Sequence, residues 1–74
     1  MTDTQTRTAI EVNGRPEQVE AETVAGLLVE NGLDAGGRGI AVAVNGAVVP
    51  RARWAQTSLR AGDAVEIVQA KQGG

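Results

Sequence analysis

Cysteine and histidine are both absent from this 74-residue sequence. Without cysteine no disulfide can form, and without either residue the usual protein ligands of zinc, copper and iron are missing. Tyrosine is also absent, and acidic residues such as Glu11 and Glu66 form no pair at a spacing typical of acid–base catalysis. The composition therefore argues against an enzyme, a resident metal and a bound cofactor.

Aromatic side chains and an excess of positive charge are lacking too. Trp54 is the one aromatic residue, and seven basic residues stand against nine acidic ones, for a formal net charge of −2. Nucleic acid binding would need a basic surface and aromatic stacking platforms. The first five residues do not resemble a signal peptide, and no apolar stretch is long enough to span a membrane. We therefore expect a soluble cytoplasmic protein that is monomeric when free and binds neither nucleic acid nor membranes.

The length of the chain allows a single domain, close to the lower limit for a stable core. Hydrophobic residues make up 42% of the sequence, and most are aliphatic. We expect a disordered N-terminus over residues 1–5, one domain over residues 6–70 and a flexible Gly-Gly tail over residues 71–74.

Two Asn-Gly pairs divide the predicted strands into hairpins. Asn13-Gly14 and Asn45-Gly46 are each suited to the two positive-φ positions of a type I′ turn. Pro16 lacks an N–H group, which predicts that the second strand lies at a sheet edge. The predicted strands cover residues 7–12, 15–21, 40–44, 47–49 and 64–70.

The sequence predicts one main helix between the hairpins. Thr23 can cap its first turn, and the helix runs to about Glu30, with Gly32 placed to end it in the left-handed conformation. The spacing i, i+3, i+4 gives one apolar stripe, formed by Val24, Leu27 and Leu28. Residues 34–39 are a glycine-rich connector without the ending of a phosphate-binding loop.

Together these elements predict an α+β fold: a mixed sheet of four to five strands with one main helix and a flexible C-terminal tail. The order of the elements matches the β-grasp fold. The last strand leads to Gly73 and Gly74, which have no side chains and could extend into a narrow channel to present a carboxylate. A frayed tail without function is the alternative.

At this level of detail the sequence resembles the ThiS-type sulfur carriers of thiamine biosynthesis over residues 8–74. The landmarks that carry the resemblance are Val12-Asn13-Gly14, Thr23-Val24, Leu27-Leu28, Val44-Asn45-Gly46, Val49-Pro50-Arg51, Trp54, Leu59, Gly62-Asp63, Val65-Glu66-Ile67-Val68 and Gly73-Gly74. Two features depart from the family pattern. Lys71-Gln72 replaces an apolar residue or a further glycine, and the loop over residues 34–39 is longer and richer in glycine.

The resemblance implies a ubiquitin-like β-grasp carrier that is a co-substrate and has no active site of its own. An E1-like adenylyltransferase of the ThiF type would use ATP and magnesium to adenylate the Gly74 carboxylate. The adenylate would become a thiocarboxylate with sulfur from a donor such as a cysteine desulfurase, and a ThiG-type thiazole synthase would receive the sulfur. Lys71, Gln72 and Gly73 would present the terminus to these partners. Sulfur is usually carried on a cysteine thiolate, so without cysteine the terminal carboxylate is the one group suited to hold it.

Other residues have both a binding and a structural interpretation. Ala41, Ala43 and Val68 could form an exposed apolar surface that docks the activating enzyme. Trp54 could anchor a partner or cover one edge of the core. Three arginines could meet acidic patches on the activating enzyme or simply be solvated: Arg51, Arg53 and Arg60.

Other functions are compatible with the same fold and tail. They are the small subunit of molybdopterin synthase, a carrier for cysteine synthesis, a modifier conjugated to other proteins, and a β-grasp binding module with an inert tail. The Asn13-Gly14 pair and the segment from Val49 to Trp54 favour the thiamine carriers through the resemblance.

Overall fold

A computed structural model describes residues 7–33 and 38–70 of the chain. The predicted disorder of residues 1–5, the predicted flexible tail at residues 71–74 and most of the predicted loop at residues 34–39 lie outside these ranges. The described elements, in chain order, are β1 (Thr8–Val12), β2 (Arg15–Val19), α1 (Val24–Glu30), β3 (Ile40–Val44), β4 (Ala47–Val49), a 3₁₀ helix (Arg51–Gln56) and β5 (Ala64–Gln69).

The five strands form one mixed sheet in the order β2-β1-β5-β3-β4. β1 and β5 are parallel, whereas β1 with β2, β3 with β4 and β3 with β5 are antiparallel. The last strand in the sequence is thus the central strand of the sheet. The predicted mixed sheet with one main helix is confirmed.

Both Asn-Gly pairs adopt the backbone that their sequence predicts. Asn13 and Gly14 have φ values of 53° and 83°, and Asn45 and Gly46 have φ values of 52° and 84°. Positive φ at both central residues is the requirement of a type I′ turn, whose twist matches that of the flanking strands. Each turn therefore closes a two-residue hairpin.

The strand β2 lies at one edge of the sheet, as Pro16 predicts. Its residues pair with β1 alone, so no second neighbour requires the N–H group that proline lacks. At the other edge β4 has three residues and is followed directly by Pro50, which precedes the 3₁₀ helix. The predicted strands over residues 15–21 and 64–70 both end earlier in the structure, at Val19 and Gln69.

The start of α1 is fixed by the predicted cap. Thr23 has an extended backbone, and its Oγ1 accepts a hydrogen bond from the Gly26 N–H at 3.1 Å. Gly26 lies inside the helix because the chain packs closely there. A Cβ at this position would lie 3.3 Å from the Ala21 Cβ and 3.4 Å from the capping hydroxyl.

The end of α1 is a Schellman motif. Gly32 has a φ of 76°, and the Leu33 N–H donates to the Leu28 carbonyl at 2.8 Å. Glu30 also fixes the end of the helix. Its carboxylate accepts a hydrogen bond from the Ala21 N–H at 2.9 Å, which connects the helix end to the segment after β2.

The core lies between α1, the 3₁₀ helix and one face of the sheet. No polar or charged side chain is buried in the described part of the chain. The buried side chains are Ile10, Val12, Val19, Val24, Leu27, Leu28, Val42, Trp54, Leu59 and Val65. The predicted helical stripe is fully buried, so most of the stability of this short helix comes from packing on the sheet.

Candidate functional site

The strand β5 leads to the predicted terminal site. Lys71, Gln72, Gly73 and Gly74 lie outside the described residues, and Ala70 is the last residue before them. The structure therefore describes the strand that precedes these four residues.

On its β3 side, β5 is paired along its whole length. The antiparallel register runs from Val65 to Gln69, and the Ala70 N–H adds a further hydrogen bond to the Gly39 carbonyl at 2.7 Å. Gly39 has a φ of 70°, and a Cβ there would lie 3.5 Å from the Ala70 carbonyl oxygen. A Cβ would therefore make only an ordinary contact there, and the left-handed backbone is the feature that favours glycine at this position.

On its β1 side, main-chain pairing ends sooner. The Asn13 N–H donates to the Val65 carbonyl at 2.9 Å, and the chain then turns away into the first hairpin. The Asn13 side chain continues the ladder: its Nδ2 donates to the Ile67 carbonyl at 3.2 Å, and its Oδ1 accepts from the Ile67 N–H at 2.9 Å. The side-chain amide takes the place of the next peptide group of β1.

The second Asn-Gly turn holds the other end of β5. The Asn45 N–H donates to the Ala64 carbonyl at 2.7 Å, and Asn45 Oδ1 accepts from the Ala64 N–H at 2.9 Å. Asn45 Nδ2 donates to an Asp63 carboxylate oxygen at 3.0 Å. The sequence predicted both turns but not these contacts. The sequence feature that could have indicated them is the asparagine side chain, because its amide supplies both a hydrogen-bond donor and an acceptor.

The face of the sheet opposite α1 is open. Three of its residues were predicted, namely Ala41, Ala43 and Val68, and the structure adds Val48. Strand pairing places Ala41 opposite Val68 and Ala43 opposite Val48, so the four side chains are contiguous. Val68 is 63% exposed and Val48 is 77% exposed. We call these four residues the open sheet surface.

Trp54 does not belong to the open sheet surface. It is 3% exposed, and its Nε1 donates to the Val49 carbonyl at 2.8 Å. The structure places this side chain in the core next to the edge strand β4, which corresponds to the core interpretation of the sequence.

The acidic residues form no metal-binding group within residues 7–33 and 38–70. No set of three or more potential metal ligands comes together there. Arg7 and Glu20 approach within 3.8 Å, but both side chains are largely exposed. None of the helices described is long and apolar enough to cross a membrane.

The architecture and the site together define a class of protein. One α-helix covers one face of a mixed sheet, the other face is open, and the central strand leads to two glycines. This is the architecture of a β-grasp domain.

Comparison with known proteins narrows the class. The ThiS family model matches residues 4–74 of this chain. The chain is similar to a crystal structure of the thiamine biosynthesis protein ThiS from Geobacter metallireducens, with 34% identity, a TM-score of 0.73, and coverage of 90% of this chain and 100% of that one. A solution NMR structure of a thiamine biosynthesis protein from the same organism gives 30% identity, a TM-score of 0.74, and coverage of 90% and 88%. No curated protein matches at a significant level.

The chain belongs to the ThiS family, which confirms the resemblance. Membership supports a sulfur carrier of thiamine biosynthesis, and a small carrier is consistent with a protein that is not an enzyme. The family match extends to Gly74, so it includes the Gly-Gly pair.

The burial of Trp54 leads to a prediction about stability. Replacement by phenylalanine, Trp54→Phe, keeps an aromatic ring in the core but removes the donor to the Val49 carbonyl. We expect a loss of about 1–2 kcal/mol in the free energy of unfolding, measured by urea denaturation with circular dichroism. The matched control is Val48→Ala at an exposed position, where the change should stay within about 0.5 kcal/mol. Equal stability of Trp54→Phe and the unaltered chain would contradict the core assignment.

Proposed function

We propose that this protein carries sulfur on the carboxylate of Gly74 for the synthesis of the thiazole part of thiamine. The observation that supports this most strongly is the course of β5. The central strand of a ThiS-family domain is held from both sides and leads within a few residues to a Gly-Gly end.

The chemistry begins with activation of a poor acyl donor. In the proposed first step, the Gly74 carboxylate attacks the α-phosphorus of ATP in an E1-like adenylyltransferase, and pyrophosphate leaves. The magnesium needed for this step belongs to that partner. AMP is a good leaving group, so the terminal sulfur of a persulfide, supplied by a donor such as a cysteine desulfurase, can attack the acyl carbon and displace AMP. A second thiol on the partner then attacks the inner sulfur of the resulting acyl disulfide, which forms a disulfide on the partner and releases the thiocarboxylate.

The composition of the chain supports the terminal carboxylate as the group that carries sulfur. A thiolate carrier would need a cysteine, and the sequence has none. The absence of side chains on Gly73 and Gly74 leaves the terminal carbonyl accessible to ATP, to the sulfur donor and to thiazole synthase in turn. The same chain would therefore be a co-substrate of each partner enzyme.

The open sheet surface supports a docking role in the same scheme. Ala41, Ala43, Val48 and Val68 are apolar and contiguous, and they lie on the sheet whose central strand leads to the tail. We propose that the activating enzyme binds here and thereby places the tail in its active site. Trp54 has no part in this contact because it is buried.

Intact-mass measurement tests the carrier chemistry. The protein is incubated with its activating enzyme, ATP and a sulfur source, and we expect the mass gain of one oxygen-to-sulfur exchange, mapped to Gly74. A Gly73→Leu variant should gain no sulfur because its side chain obstructs the approach to the terminal carbonyl. Exchange at another residue, or none with an active enzyme, would contradict the proposal. Reconstitution with thiazole synthase then identifies the recipient.

A pair of valine variants tests the docking surface. Val68 on the open sheet surface and Val29 on the outer face of α1 are similarly exposed, at 63% and 58%. Substitution by lysine should change the free energy of unfolding by no more than about 0.5 kcal/mol at either site. We expect Val68→Lys to raise the KM of the activating enzyme for the carrier about tenfold. This factor corresponds to the free energy that is lost when one valine side chain is no longer buried in the interface. Val29→Lys should leave it unchanged. Equal KM values for the two variants would refute docking through this surface.

A further inference from the structure

The two long sides of β5 are held very differently near the tail. On the β3 side, main-chain hydrogen bonds reach Ala70. On the β1 side, the parallel register covers Ala64 and Val65, and the final main-chain hydrogen bond in the described part of the chain goes to the Val65 carbonyl. Beyond that point, the structure shows an Asn13 side chain where a strand would be.

An open groove follows the end of β1. It has a volume of about 550 Å³, and the residues beside it include Asn13, Arg15, Asn31, Ile67 and Gln69. No described segment of the chain fills this space against the last residues of β5. Among the described residues, the end of β5 therefore has a continuous neighbouring strand only on its β3 side.

The Asn13 amide is the restraint on the other side. It donates to the Ile67 carbonyl at 3.2 Å and accepts from the Ile67 N–H at 2.9 Å. Because these two groups belong to the peptide units on either side of Ile67, the two hydrogen bonds restrain the orientation of that residue as well as its position. Asn13 lies in the turn of the β1–β2 hairpin, and the pairing of these two strands holds its backbone in place.

We infer that Asn13 is a positioning residue that sets the direction in which the tail leaves the domain. The inference rests on the proposed function. Ala70, the last described residue, follows Ile67 by three positions, and Gly74 follows it by seven. Rotation of the end of β5 about β3 would therefore displace the point from which residues 71–74 continue, and a misplacement of about 1 Å at a reacting group can reduce a rate by about 10²-fold.

Asn45 provides a matched control. Its Oδ1 accepts from the Ala64 N–H at the start of β5, away from the tail, and its Nδ2 donates to the carboxylate of Asp63 just before the strand. It also occupies the first position of an Asn-Gly turn, with a nearly identical φ. Glycine accepts this φ without strain, so Asn13→Gly and Asn45→Gly each remove an amide and leave the turn backbone possible.

The experiment measures adenylation of the full-length variants by the activating enzyme, at a temperature where urea denaturation shows both to be folded. We expect Asn13→Gly to lower kcat by about tenfold or more with little change in KM, because docking through the open sheet surface is intact and the carboxylate is misplaced. We expect Asn45→Gly to stay within about twofold of the unaltered chain in both constants. Amide hydrogen exchange at Ile67 should accelerate in Asn13→Gly only.

Several outcomes would overturn the inference. One is an unchanged kcat for Asn13→Gly, and another is an equal loss in both variants, since that would indicate a general effect of stability. If Asn13→Gly does not fold, Asn13→Asp, which keeps the acceptor and loses the donor, replaces it with the same expected direction. A wrong proposed function would give a different result from a wrong inference, because the unaltered chain itself would not be adenylated.

Discussion

The structure depends on satisfying the backbone of β5 on both sides. This strand occupies the centre of the sheet, yet its parallel neighbour β1 ends before it does. The chain supplies partners for these exposed backbone groups through asparagine amides at its two hairpin turns. Asn13 and Asn45 thus connect the two hairpins to the one strand that leads to the Gly-Gly end.

Around this strand the domain is stabilised by ordinary means. No disulfide is possible, and the core consists of aliphatic side chains with one tryptophan. The helix α1 is only seven residues long, and it is defined by the Thr23 cap, the Schellman motif at Gly32 and the hydrogen bond from the Ala21 N–H, after β2, to the Glu30 carboxylate. A short helix with both ends fixed gives a small domain enough order to support the sheet.

Most of the fold could be predicted because its signals are local. An Asn-Gly pair specifies its own turn, and a threonine before an apolar stripe specifies a helix start. The contact between Asn13 and Ile67 spans 54 positions, and no local pattern shows which strand will lie beside the first turn. The contribution of Val48 to the open sheet surface likewise depends on the pairing of β4 with β3, and the burial of Trp54 on how the 3₁₀ helix packs.

The central claim is that the folded domain serves to present one terminal carboxylate. The most direct measurement compares the full chain with a variant that lacks Gly73 and Gly74, in cells without another copy of the carrier and in medium without thiamine, together with urea denaturation of both proteins. The account predicts equal stability, because both glycines follow β5, and growth with the full chain alone. Growth of cells that have only the shortened variant would contradict it.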